Sequence, residues 1–85
     1  MHEYSIVASL VERVEAEAAA RGARAIERIH VRVGEFAGVD PELLATAFAT
    51  FAPATGCAGA TLAIERVPGD DLILERIEME VPDVS

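Results

Sequence analysis

The hydrophobic period of this chain changes once in its first half, from helical spacing to strict alternation, and that change limits the fold more than any other feature. Ile6, Val7, Leu10, Val11, Val14 and Ala18 recur at the spacing of one helix face. Ile29, Val31 and Val33 instead alternate with Arg28, His30 and Arg32. The first pattern buries a stripe of a helix, the second one face of a strand. Ser5 fits an N-cap, so the helix is expected to begin at about residue 6 and to turn Glu12, Arg13, Glu15 and Glu17 to water. Gly22 fits its C′ end, and the strand is expected from Ala25 to about Gly34.

A second helix is signalled at Asp40-Pro41-Glu42: an Asp N-cap, a Pro in the first turn and a carboxylate near the positive end of the helix dipole. Leu43, Leu44, Ala47, Phe48 and Phe51 form its apolar stripe, and Pro53 stops it. The small residues of 54–59 read as a loop. A second strand follows with Leu62 and Ile64 inward. Pro68-Gly69-Asp70-Asp71 is a tight turn by composition, expected to set a third strand antiparallel to the second. Leu72 and Leu74 share one phase and Ile77 and Met79 the other, which predicts a bulge near Glu75-Arg76. The expected fold is an α/β (α+β) two-layer sandwich, with two helices packed on one face of a small three-stranded sheet. Residues 1–85 form one domain in this reading, with no repeat or linker.

At 85 residues such a domain buries roughly 60% of its unfolded surface. A hydrophobic content of 52% excludes an intrinsically disordered chain. No apolar run reaches membrane-span length, and Met1-His2-Glu3 does not open a secretory signal, so a cytoplasmic location is the expectation. A net charge of −8 argues against nucleic acid and anionic membranes and is compatible with cations or basic protein surfaces. The single cysteine, Cys57, makes no internal disulfide, and no C-x-x-C pair is present for structural zinc.

The chemistry concentrates at the start. The amine of Met1 and the peptide and ring nitrogens of His2 can close adjoining chelate rings around an ion able to displace the amide proton, as nickel(II) and copper(II) do. Such a square-planar N,O site suits these ions better than tetrahedral zinc. Glu3 stands nearest to the fourth position, through its backbone nitrogen or its carboxylate. The same three residues also read as an ordinary terminus, and Glu3 as a carboxylate favouring a helix start. His30, between two arginines, reads as a solvated surface residue, and Cys57 as a small buried one.

Met1-His2-Glu3-Tyr4-Ser5-Ile6, the run from Ile29 through Gly34-Glu35-Phe36-Ala37-Gly38-Val39-Asp40-Pro41-Glu42, Gly59-Ala60-Thr61-Leu62 and Leu72 to Glu78 resemble the HypA/HybF family of nickel metallochaperones. The resemblance covers nearly the whole chain in order. It implies a carrier of Ni(II) for nickel–iron hydrogenase or urease, with Met1, His2 and Glu3 as the metal site, His2 as its central ligand, and Asp40 as an additional ligand. It further implies a HypB-type GTPase and a hydrogenase large-subunit precursor as partners. Typical members insert a zinc-binding domain with two C-x-x-C pairs where this chain has Pro68 to Asp71, so no structural zinc is expected here.

Two functions stay open on the sequence: a nickel carrier, or a metal-independent module that docks on a maturation partner or self-associates through a sheet edge as a homo-oligomer. No nucleophile–base pair, P-loop or dinucleotide fingerprint points to an enzyme. N-capping alone accounts for Asp40, so its ligand role and its structural role are both carried forward.

Overall fold

The computed structural model describes residues 2–82, with the side chain of His2 outside that description. Helix α1 spans His2–Ala20, strand β1 Ala25–Gly34 and helix α2 Pro41–Phe51. A 3-10 turn at Ala52–Ala54, strand β2 at Thr61–Val67 and strand β3 at Leu72–Glu80 complete the chain. Both helices lie on one face of the sheet and share a single core with it, built on Val7, Val11, Val14, Ile29, Val31, Val33, Leu44 and Phe48. The two-layer expectation therefore holds.

Local signals place most boundaries. At the end of α1, the Ala23 N–H donates to the Ala18 carbonyl at 2.9 Å and the Gly22 N–H to that of Ala19 at 3.2 Å. This is the paired closure of a helix through a left-handed residue, and Gly22 supplies it with φ 63°. Pro53 falls in the 3-10 turn just after α2, where it cannot continue an α-helix. The start of α1 differs from expectation. The helix begins at His2, and Ser5 is internal rather than its N-cap. The turn ahead of Ser5 is where Tyr4 packs on Phe51 at the end of α2, a tertiary contact that the local cap signal does not register.

The sheet order is β2-β1-β3, with β1 parallel to β2 and antiparallel to β3. The sequence predicts a turn that lays β3 beside β2. The two strands do run in opposite directions, but β1 lies between them. Residues 68–71 cross the end of β1, and they and Val67 accept from the donors there: the Gly34 N–H donates to the Asp71 carbonyl at 2.7 Å, that of Glu35 to Val67 at 2.8 Å and that of Phe36 to Gly69 at 2.8 Å. Burial explains the order. Ile29, Val31 and Val33 are almost fully enclosed, whereas the inward residues of β2 and β3 are only partly so, as edge strands allow. The bulge expected near Glu75 is present: His30 opposes Arg76 and Val31 opposes Leu74, leaving Glu75 without a partner in β1. A second irregularity leaves Glu27 unopposed.

The other sheet face carries charge. Arg32 reaches Glu75 at 2.8 Å and Glu65 at 3.5 Å, tying both edge strands to the central one. The His30 ring Nε2–H donates to Glu78 Oε2 at 2.7 Å, and Arg76 approaches the same oxygen at 3.3 Å. His30 is thus partly covered and engaged, not the solvated residue expected from its neighbours. That hydrogen bond holds the Glu78 carboxyl below the usual carboxylate range; desolvation opposes it, and the charges of His30, Arg76 and Arg28 add to it. Among the described residues no helix is long and apolar enough to cross a membrane.

Two outcomes follow from this packing. A Cβ on Gly34 would stand 2.6 Å from the Gly69 carbonyl oxygen and 2.9 Å from the Asp71 nitrogen, both backbone atoms of the crossing. Gly34→Ala is therefore expected to lower the unfolding free energy by about 1–3 kcal/mol in urea titrations, the scale of an overpacked site. Glu78 has a lowered folded pKa, so its contribution is present above the ordinary carboxylate value and is lost as pH falls through the lowered one. Glu78→Gln should accordingly be less stable than the wild type near neutral pH, and the difference should shrink progressively on acidification. A pH-independent difference would contradict this.

Candidate metal centre

The first turn of α1 rests against α2. Glu3 is partly buried, and its Oε2 accepts from the Asp40 N–H at 3.4 Å. One residue on, the Tyr4 ring meets that of Phe51 edge to face, with centroids 5.5 Å apart and planes at 81°. Between these contacts lies a cleft of about 200 Å³ lined by Glu3, Tyr4, Leu43, Thr46, Ala47 and Thr50. Leu43 is consequently 48% exposed at the cleft wall, instead of buried in the α2 stripe as its spacing suggests.

Asp40 caps α2 as expected. With extended backbone angles (φ −84°, ψ 115°), its Oδ1 accepts from the N–H groups of Glu42 at 2.9 Å and Leu43 at 3.4 Å. Both bonds use Oδ1. Of the four residues singled out for metal, then, the fold brings Glu3 and Asp40 together. Met1 lies outside the described residues, as does the His2 side chain, while the His2 backbone opens α1. Among the described residues, no three His, Cys, Asp or Glu side chains gather as a metal cluster. The helical start matters chemically. The first four N–H groups of an α-helix have no partner within it, so the amide nitrogens of His2 and Glu3 can lose their protons without breaking a helix hydrogen bond.

The other donors stand apart from this corner. His30 is committed to Glu78 on the far sheet face. Cys57 is fully buried, and its thiol pKa is pushed up by that burial and by the nearby Glu15 carboxylate, with the Thr55 hydroxyl opposing. Glu15, expected to point to water, instead accepts from the Gly56 N–H at 2.6 Å and fastens the loop before β2 to α1. Sequence reasoning did not single out Tyr4 and Phe51 as neighbours of the site. An aromatic one residue after Glu3 was the available signal, but nothing local pairs it with the end of α2.

A helix start laid on a second capped helix, above a three-stranded mixed sheet, defines a class of small α+β domain. The family described as "Hydrogenase/urease nickel incorporation, metallochaperone, hypA" matches residues 1–72. The protein named hydrogenase maturation factor HypA from Shewanella baltica strain OS185 is 46% identical over 68 residues, covering 80% of this chain and 58% of that protein. Its namesake from Wolinella succinogenes is 43% identical over 68 residues, covering 80% and 57%. The solution structure of the Ni metallochaperone HypA from Helicobacter pylori superposes with a TM-score of 0.74 at 25% identity, covering 93% of this chain and 96% of that one. A second, titled "Solution structure of HypA protein", gives 0.68 at 26% identity, covering 96% and 97%. The chain belongs to the HypA family. It spans somewhat under two thirds of the length of these curated relatives, and the family match ends where β3 begins.

The cap role of Asp40 can be tested apart from its charge. Asp40→Ala should cost about 0.5–2 kcal/mol through the lost cap, whereas Asp40→Asn, an equally good cap, should cost far less. Urea midpoints of the metal-free variants measure the difference, and equal losses would show that the carboxylate charge, not the cap, is what matters.

Proposed function

We propose that this chain carries Ni(II) as cargo on Met1, His2 and Glu3 and passes it on during hydrogenase or urease maturation. The observation that carries the reading is the family match over residues 1–72, which takes in the N-terminal triplet and Asp40. The local geometry supports it. Helical backbone at His2 and Glu3 turns successive amide nitrogens toward the same end, whereas extended backbone would point them apart. A cation at a helix N-terminus is opposed by the helix dipole. Loss of two amide protons makes the donor set anionic and offsets that cost, and the nearby carboxylates of Glu3 and Asp40 act in the same sense. Asp40, whose two cap bonds both use Oδ1, is a further donor in this proposal.

The same proposal includes a HypB-type GTPase and a hydrogenase large-subunit precursor as partners, a cytoplasmic location and a role without catalysis. The net charge of −8 supports docking on basic protein surfaces. It also includes the crossing Pro68 to Asp71 as the replacement for a zinc-binding insertion, because those four residues join β2 to β3 and their carbonyls accept from Gly34 and Phe36 at the end of β1.

The test is a titration of the untagged chain with Ni(II). One equivalent should bind with planar-type d–d absorption, and affinity should rise with pH because protons leave the ligands. His2→Ala should weaken binding at least about tenfold, as should one extra residue ahead of Met1, which moves the free amine away from His2. Nickel affinity unchanged in His2→Ala would sink the assignment.

A further inference from the structure

Two adjacent residues of α1 reach opposite ends of α2. Glu3 meets Asp40, which precedes the helix, and Tyr4 meets Phe51, its last residue. An 11-residue helix is about 16 Å long. The first turn of α1 therefore straddles α2, and two anchors on separate arms fix both the position and the direction of that turn. The arms differ in strength. The Glu3 bond is long at 3.4 Å and exposed, whereas Phe51 is partly buried and packed against the core, so the aromatic contact is the firmer anchor.

We propose that Phe51 is a positioning residue for the N-terminal metal site: by holding Tyr4 it keeps the His2–Glu3 backbone in the helical turn that brings its nitrogens together. The proposal rests on the nickel-carrier reading. In this proposal Phe51 acts through Tyr4, the residue of that turn whose ring it meets. A terminus held in one turn loses less conformational freedom when it closes around an ion than a free one does, and preorganisation of this kind appears directly as affinity. An edge-to-face aromatic pair sets the scale at about threefold to tenfold.

The experiment compares nickel affinity of the untagged wild type with four variants. Phe51→Leu keeps an apolar side chain at the site but removes the ring, and should bind about threefold to tenfold more weakly. Phe51→Tyr restores a ring edge and should recover the affinity. Val14→Ala, fully buried farther along the same helix, should lower stability while leaving affinity unchanged. His2→Ala marks the loss of the site itself. Tyr4 is the only tyrosine in a chain without tryptophan, so its emission reads the contact directly. Acrylamide should quench it more in metal-free Phe51→Leu than in the wild type. If Phe51→Leu binds nickel as the wild type does while His2→Ala does not, the positioning role is wrong and the carrier reading stands. Equal weakening in Phe51→Leu and Val14→Ala would also overturn it, since general stability would then account for both. Wild-type affinity in His2→Ala removes the carrier reading and this proposal with it.

Discussion

The burial of one face of β1 is the constraint on which the rest of the molecule depends. Ile29, Val31 and Val33 are each enclosed to within a few per cent, and no other strand of the sheet is buried so completely. A strand in that state needs neighbours on both edges and a layer above it. β2 and β3 supply the edges, and α1 and α2 the layer. Once β1 is central, the link between β2 and β3 must pass over its end. Gly34 is then required at that end, because any Cβ would meet the backbone of the crossing. The opposite face needs no second layer, since Arg32 and His30 pair with carboxylates from the edge strands and remain within reach of water.

What was legible in the sequence is what local chemistry decides. Gly22 ends a helix because it adopts φ > 0 cheaply, Asp40 starts one because its carboxylate accepts the free N–H groups, and a phase change between Leu74 and Ile77 demands an extra residue in the strand. What was not legible depends on contacts between distant segments. The strand order follows from which face of which strand is buried deepest, and a four-residue turn looks the same whether it joins neighbours or crosses a third strand. The start of α1, the inward turn of Glu15 and the exposure of Leu43 all follow from how α1 lies on α2 and on the loop before β2. The site divides in the same way. The opening triplet singled out candidate donors, but the meeting of Glu3 with Asp40 and of Tyr4 with Phe51 has no periodic trace in the chain.

The helical start at His2 has a physical consequence for the first amide groups of α1. In the middle of a helix an amide proton is held in a hydrogen bond to a carbonyl four residues earlier, and a metal that displaced it would have to break the helix. In the first turn that proton faces outward, so the same displacement leaves the helix intact. Loss of a proton from the His2 or Glu3 amide would therefore leave the rest of the helix as a fixed base. The base is itself fixed by α2, whose N-cap lies within hydrogen-bonding distance of Glu3 and whose final residue packs on Tyr4. Stability and access are thus assigned to different parts of one short stretch. Val7, Leu10 and Val11 bind α1 into the core, and Glu3 and Tyr4 ahead of them keep part of their surface open to water.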